Sequence, residues 1–126
     1  PKSNWGKVIF MGLPPMVSRM VKYLNSIDHS GVTYMSSSVA SYEMLLEGTN
    51  KGTAVLEIAD MLGIPHEHTG AIGDYFNDYD MIKSVGVPAV CGQAPQAMKD
   101  IATFVACHCN HGAVADFLEY IENNCQ

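Results

Sequence analysis

Apolar positions over residues 1–50 predict three strands and one helix. The run over residues 7–11 predicts a strand, and the two prolines at 14–15 suit the first turn of a helix, where a missing N–H costs no hydrogen bond. Two further strands are predicted over residues 32–35 and 42–46, separated by a run of three serines. One face of the predicted helix is apolar and consists of Met16, Val17, Met20, Val21 and Leu24. Together these elements predict a small α+β unit.

Helices and strands alternate in the second part of the chain. Strands are predicted over residues 68–73, 87–91 and 104–107, with a short helix over residues 95–102. Gly63, a residue suited to a left-handed helix end, follows the first predicted helix. The other helices have apolar residues at helical spacing, namely Val55, Ile58, Ala59 and Leu62, then Met81, Ile82 and Val85, and finally Val114, Phe117, Leu118 and Ile121. This alternation predicts right-handed βαβ units, a parallel sheet and therefore an α/β fold.

Composition and charge exclude several classes of protein. The chain of 126 residues is 48% hydrophobic, which excludes a disordered polar tail. With 7 basic against 13 acidic side chains and a net charge of −6, we expect no basic face for nucleic acid. No apolar run reaches the ~18 residues that a membrane span needs, and no basic-then-apolar leader opens the sequence. We therefore expect a cytoplasmic protein that binds neither nucleic acid nor membranes.

The four cysteines, Cys91, Cys107, Cys109 and Cys125, lie in the last third of the chain. Without a signal peptide or the dense cysteine spacing of a secreted scaffold, they are expected to be reduced thiols. A zinc site is one alternative, because Cys107, Cys109 and His111 alternate and would share one face of a strand. Cys91 would then be the fourth ligand. The Cys-x-Cys spacing matches a zinc knuckle poorly, which favours a structural role at a strand end.

Two carboxylates follow the strand predicted over residues 68–73. Asp74 comes directly after Gly73, and Asp78 comes four residues later, across a turn into a helix. In an open parallel sheet, ligands bind at the carboxyl ends of the strands. Paired carboxylates without a nearby His or Cys suit a hard cation such as Mg²⁺. The alternative is helix capping, in which Asn77 or Asp78 accepts hydrogen bonds from the first amides of the helix.

A lysine opens the helix that precedes this strand. Lys51 stands at the helix N-terminus, where the helix dipole favours an anion over a cation. An anionic ligand held by Lys51 and nearby backbone amides would relieve the mismatch, and Gly52 permits close approach of backbone or ligand. The alternative is a solvated surface lysine. Taken alone, this lysine is therefore a weak signal.

In combination, the two features resemble a known pair of motifs. The Lys-Gly pair at residues 51–52 and the Gly-Asp-x-x-Asn-Asp sequence at residues 73–78 resemble the third and fourth motifs of Cof-type phosphatases in the haloacid dehalogenase superfamily. The resemblance extends over residues 7–122. It implies a three-layer, Rossmann-like parallel sheet over residues 51–126, the carboxyl-terminal half of that family's core. Residues 1–50 would be the end of an α+β cap.

The resemblance also implies a role for each matching residue. Asp74 would hold Mg²⁺, with Asp78 supporting the ion directly or through water. Lys51 would neutralise the transferring phosphoryl group and orient the nucleophilic carboxylate. Asn77 and Gln93 would contact the phosphate, although Gln93 replaces the asparagine usual in that family. Phosphoryl transfer mostly needs charge neutralisation and alignment, which one divalent ion and one lysine can supply.

The family's nucleophile motif, Asp-x-Asp-Gly-Thr, is absent from this sequence. Pro1 also stands where an initiator methionine is usual, so we expect a piece of a longer phosphatase that acts on small phosphorylated metabolites. The chain alone is expected to hydrolyse no phosphate ester, and an unpaired central strand is expected to favour self-association. The alternative is a non-catalytic half-fold that binds a metal, an anion or a partner protein.

Overall fold

The computed structural model describes residues 6–27 and 30–124. Its contacts divide the chain into two compact units, Pro1–Thr49 and Asn50–Gln126. Each unit has its own sheet and its own cluster of buried side chains. No helix within the described ranges is long and apolar enough to cross a membrane.

The first unit is an antiparallel sheet of three strands with one helix. Strand β1 (Lys7–Met11) pairs with β3 (Ser41–Leu46), which pairs with β2 (Val32–Ser38), and helix α1 (Pro14–Leu24) lies between β1 and β2 in sequence. These elements confirm the predicted α+β unit. The serines, however, do not separate two strands as predicted. Strand β2 runs through them, because they pair with β3 across a bulge at residues 36–38.

Aromatic and aliphatic side chains from the helix and the sheet form the core of the first unit. Val17, Leu24 and Tyr42 are buried there, and the ring of Tyr42 stacks on Tyr34 with 5.9 Å between centroids. The predicted apolar face of α1 is confirmed except at Met16. This residue is 64% exposed, because it borders an open groove beside β1 instead of packing on the sheet.

The second unit is built on a parallel sheet with strand order β4-β5-β6. Its elements are α2 (Lys51–Leu62), β4 (Gly70–Gly73), α3 (Tyr79–Ser84), β5 (Val87–Val90), α4 (Gln96–Lys99), β6 (Phe104–Val105) and α5 (Ala113–Asn124). Short 3₁₀ turns lie at His66–His68, Phe76–Asp78 and Cys109–His111. The predicted parallel arrangement is confirmed, and Gly63 ends α2 in a left-handed conformation with φ 66°.

Several elements are shorter than the apolar pattern predicted. The strand predicted over residues 68–73 begins only at Gly70, because the preceding residues form a 3₁₀ turn. The strand predicted over residues 104–107 ends at Val105, because the backbone N–H of Cys107 donates to a side chain of α5. The helix predicted before that strand is likewise reduced to the 4 residues of α4. Apolar runs therefore placed these elements correctly but overestimated their length.

Side chains alternate across the parallel sheet and divide the second unit into three layers. Ala71 of β4 packs against a cluster that contains Ile82 of α3 and Met98 of α4. Its neighbour Ile72 packs against a different cluster, which contains Ala113 of α5. Because neighbouring residues of a strand point to opposite faces, helices cover both faces of the sheet. This arrangement confirms the predicted three-layer α/β fold.

Two helices of the second unit expose some of the apolar residues that stand at helical spacing. Ile58 and Leu62 of α2 are 57% and 68% exposed, and Val114 and Leu118 of α5 are 60% and 56% exposed. Among the described residues, β4 also has a partner strand on one side only. Helical spacing predicts which residues share a face, but it does not predict whether another element covers that face.

Candidate active site

Gly73 and the 3₁₀ turn after it place Asp78 against the end of β4. The turn Phe76–Asp78 brings the chain back, so that Asp74 N donates to Asp78 Oδ2 at 3.0 Å. A Cβ atom at residue 73 would lie 2.5 Å from the Cβ atom of Asp78, which is too close for any side chain. Glycine is therefore required at the strand end for Asp78 to occupy this position.

Lys51 and Asp78 form an ion pair across the site. Asn50 caps the first turn of α2, because its side chain accepts from Thr53 N at 2.9 Å and Thr53 Oγ1 accepts from Asn50 N at 3.2 Å. Lys51 is the first residue after this cap, and its Nζ donates to Asp78 Oδ1. The side chain of Lys51 is 50% exposed, whereas that of Asp78 is 7% exposed. A carboxylate of the protein itself thus neutralises the lysine at the helix N-terminus.

Gly52 allows α2 and α3 to approach closely enough for this pair to form. A Cβ atom at residue 52 would lie 2.7 Å from the backbone oxygen of Asp80 and 2.9 Å from Ser84 Oγ. Gly52 is buried at this crossing. Gly52 therefore permits the close approach of the α3 backbone.

Two side chains of the turn after β4 offer oxygen atoms that suit a hard cation. Within residues 6–27 and 30–124, no hydrogen bond or ion pair engages the Asp74 carboxylate, and Asn77 Oδ1 is buried without a hydrogen-bond partner. Carboxylate and amide oxygens are ligands that Mg²⁺ accepts. The described part of the chain brings no three His, Cys, Asp or Glu side chains together as a metal cage. The donors present therefore fit Mg²⁺ as a partial site that water or other groups complete.

Cys91 and Gln93 follow β5, the strand next to β4. They therefore lie at the same carboxyl end of the parallel sheet as Asp74. Cys91 N donates to Gly73 O at 2.9 Å. Burial raises the pKa of the Cys91 thiol, the negative charge of Asp74 raises it further, and a hydrogen bond from the Gln93 side chain lowers it. Gln93 is exposed, and its Oε1 accepts from Cys109 N at 3.0 Å. The structure thus brings Gln93 to the end of the sheet that carries Asp74.

The sequence predicted Cys91 only as a possible metal ligand, whereas its thiol lies close enough to Asp74 for that charge to raise its pKa. The available signal was its position directly after a strand. In a parallel sheet, residues that follow neighbouring strands meet at the carboxyl ends of the strands, where ligands bind. A thiol after β5 should therefore have been expected close to a carboxylate after β4.

The candidate zinc ligands are not brought together. Strand β6 ends before Cys107, so Cys107, Cys109 and His111 do not alternate along a strand, and the last two belong to a 3₁₀ turn. Cys107 Sγ instead donates to the backbone oxygen of His111 at 3.4 Å. Cys91 and the other described cysteines are free thiols, as expected, while Cys125 lies outside the described residues. The described residues therefore do not support a zinc site.

Comparison with known proteins identifies the family of this chain. A family model described as haloacid dehalogenase-like hydrolase matches residues 1–118. The match includes the Lys-Gly pair, the Gly-Asp-x-x-Asn-Asp turn and the three strands of the parallel sheet. The chain therefore belongs to the haloacid dehalogenase-like hydrolases, which confirms the resemblance stated from its motifs.

Individual relatives agree with this assignment. An HMP-PP phosphatase from Citrobacter koseri is 32% identical over 126 residues, which cover 98% of this chain and 46% of that protein. Phosphatase YwpJ from Bacillus subtilis is 31% identical over 90 residues, which cover 71% of this chain and 32% of that protein. The solved structure of a haloacid dehalogenase-like hydrolase from B. subtilis has a TM-score of 0.80 at 22% identity and covers 99% of this chain and 44% of its own. The chain thus spans less than half the length of each.

Proposed function

We propose that this chain supplies the metal-binding and phosphate-binding half of a phosphatase active site, within a longer protein that hydrolyses small phosphate monoesters. The observation that carries the proposal is the connected group of Lys51, Asp78 and Asp74 at the carboxyl end of β4. One lysine and two carboxylates at this edge offer the charge neutralisation and alignment that phosphoryl transfer needs. The name of one relative, an HMP-PP phosphatase, supports a phosphorylated substrate.

Each residue of the group has its own role in this proposal. Lys51 is half exposed, so its ammonium group can contact a phosphoryl oxygen while Asp78 holds it from the other side. The Asp74 carboxylate, which accepts no hydrogen bond from the described part of the chain, holds Mg²⁺. Asp78 supports the ion through water, because both of its oxygens already accept hydrogen bonds. Asn77 offers an amide oxygen to the same ion or its water, and Gln93 contacts the phosphate. Mg²⁺, when bound, would neutralise charge on the phosphoryl oxygens.

In this scheme, the nucleophile lies in a part of the protein outside this sequence. The Asp-x-Asp-Gly-Thr motif, whose first aspartate would form an aspartyl-phosphate, is absent here. In this scheme, residues 1–50 are the end of a substrate-selecting cap, and residues 51–126 belong to the catalytic core. The chain alone is then inactive, and its parent is a cytoplasmic enzyme.

The reading frame upstream of Pro1 provides the first test. An in-frame apolar strand that ends in Asp-x-Asp-Gly-Thr would support a Mg²⁺-dependent phosphatase. A stop codon or an unrelated domain at that place would contradict the proposal. The non-catalytic half-fold, which uses the same crevice to bind a metal or an anion, would then be the better account.

The free edge of β4 supports a second proposal, that the isolated chain associates with itself. Among the described residues, β4 pairs with β5 alone, so one row of its backbone groups has no partner strand. Exposed Ile58 and Leu118 add apolar surface to the same unit. An open strand edge and exposed apolar residues both favour association between chains.

A further inference from the structure

Residues 107–111, which lie between β6 and α5, form a segment that we call the β6–α5 loop. This loop holds the side chain of Gln93. Gln93 Oε1 accepts from Cys109 N at 3.0 Å. A backbone N–H can only donate, so the amide of Gln93 must turn its oxygen towards the loop and its Nε2 away from it. The N–H groups of Nε2 are donors, and donors suit an anion such as a phosphate.

Gly92 brings the end of β5 close enough to the β6–α5 loop for this contact. Gly92 N donates to Cys107 O at 3.0 Å, and a Cβ atom at residue 92 would lie 3.0 Å from Ala106 O and 3.2 Å from His108 N. A side chain at this position would therefore push the loop away. The long arm of glutamine then spans the remaining distance to Cys109 N, which gives a physical reason for glutamine in place of asparagine.

The β6–α5 loop is in turn fixed by α5. Asp116, in the first turn of that helix, accepts from Cys107 N through Oδ2 at 2.7 Å. Within the loop, His111 N donates to His108 O at 2.7 Å, and Gly112 ends the turn in a left-handed conformation with φ 91°. A loop that is ordered before a ligand arrives adds no ordering cost to binding.

Gln93 lies at the end of the parallel sheet that carries Asp74. Gln93 comes two residues after Cys91, the residue that directly follows β5. Cys91 N in turn donates to Gly73 O, directly before Asp74. With Oε1 bound to the loop, the N–H groups of Nε2 can donate to a ligand at this end of the sheet.

We propose that the β6–α5 loop is the positioning element for the phosphate contact of Gln93 and acts through the backbone N–H of Cys109. The loop fixes the orientation of the amide, and an N–H of Gln93 Nε2 donates to a phosphoryl oxygen. Asp116 is a positioning residue in this scheme, because it holds the loop without touching the phosphate. The inference rests on the proposed phosphatase function.

A double-mutant cycle in the intact protein tests this inference, with inorganic phosphate as the probe in the presence of Mg²⁺. We expect Asp116→Ala and Gln93→Met each to weaken phosphate binding by roughly 3- to 10-fold, the loss of about one hydrogen bond. Asp116→Asn keeps an acceptor oxygen and should restore binding. Because Asp116 acts through Gln93, Asp116→Ala should cause no further loss in the Gln93→Met background.

Amide hydrogen exchange at Cys109 gives a second readout. Exchange there should become faster in Gln93→Met, and it should stay unchanged in Gln96→Met, a matched substitution on the exposed side of α4. Losses that add in the double variant, or an Asp116→Ala variant that binds phosphate normally, would overturn the inference. A wild-type protein that binds no phosphate would contradict the proposed function itself. This result differs from additive losses in the double variant, which would contradict only the role of the loop.

Discussion

The ammonium group of Lys51 and the carboxylate of Asp78, 27 residues apart in sequence, form an ion pair that joins the start of α2 to the end of β4. The second oxygen of Asp78 accepts from Asp74 N. One buried carboxylate therefore positions both the cation proposed to contact phosphate and the backbone of the residue proposed to hold Mg²⁺. A substitution that displaces Asp78 should disturb both.

Removal of the Asp78 carboxylate should destabilise the second unit. Asp78→Ala leaves Lys51 Nζ and Asp74 N without their acceptor, and we expect a loss of about 1–3 kcal/mol in the free energy of unfolding. Asp78→Asn retains an acceptor oxygen and should lose less. Urea unfolding measures both, with Asp80→Ala at an exposed position as the control. Equal stability of Asp78→Ala and the control would show that the pair is not structural.

Gly52→Ala should destabilise the protein although alanine favours helices. In an exposed helix this change would stabilise by roughly 1 kcal/mol. At residue 52 the new Cβ would lie 2.7 Å from the backbone oxygen of Asp80, so we expect overpacking to cost about 1–3 kcal/mol. Gly6→Ala is the control, since no atom of the described residues beyond its chain neighbours lies within 4 Å of a Cβ there. A higher melting temperature for Gly52→Ala would contradict the close crossing of α2 and α3.

The thiol of Cys91 should respond to the charge of Asp74. Burial and the Asp74 carboxylate raise the pKa of Cys91 above its ordinary value of 9.0. Ionisation of a thiol creates a negative charge, so Asp74→Asn should lower that pKa and speed alkylation of Cys91 by iodoacetamide near pH 8.5. Mass spectrometry of the modified peptide measures the rate. Asp100→Asn serves as the control. The same rate of Cys91 alkylation in Asp74→Asn and Asp100→Asn would contradict an effect of the Asp74 charge on this thiol.

The raised pKa of Cys91 also predicts how stability changes at high pH. The folded state keeps this thiol protonated at pH values where the unfolded chain has released the proton. The contribution of the protonated Cys91 thiol to the free energy of unfolding is therefore fully present below pH 9.0. It is lost as the pH rises through the folded-state pKa. Cys91→Ala should make the free energy of unfolding less dependent on pH above 9.0. An unchanged slope in Cys91→Ala would contradict the raised pKa.

Self-association of the isolated chain should depend on its exposed apolar residues. Light scattering is expected to find species larger than the monomer, in a proportion that rises with concentration, because no described strand pairs with one edge of β4. Ile58→Glu with Leu118→Glu should lower that proportion, whereas Glu119→Gln on the same helix should not. A strictly monomeric chain at high concentration would rule out this proposal.

The sequence predicted the place of the site better than the pairing within it. A carboxylate after a strand and a lysine at the start of the preceding helix follow from periodicity and motif spacing, so the sequence predicted Asp74 and Lys51 as candidates. The partner of Lys51 was not, because it depends on a 3₁₀ turn that folds Asp78 back against Gly73. The exposure of Ile58 was also unpredictable, since helical spacing does not reveal which faces are covered.

Hydrolysis of p-nitrophenyl phosphate, with and without Mg²⁺, tests the central claim most directly. The protein from the complete reading frame, its Asp74→Asn variant and the isolated chain are compared under the same conditions. We predict Mg²⁺-dependent turnover by the complete protein, a rate at least about 100-fold lower for Asp74→Asn, and none for the isolated chain. Turnover by the isolated chain that Asp74→Asn abolishes, or a complete protein indifferent to Asp74→Asn, would contradict the assignment of half an active site to these residues.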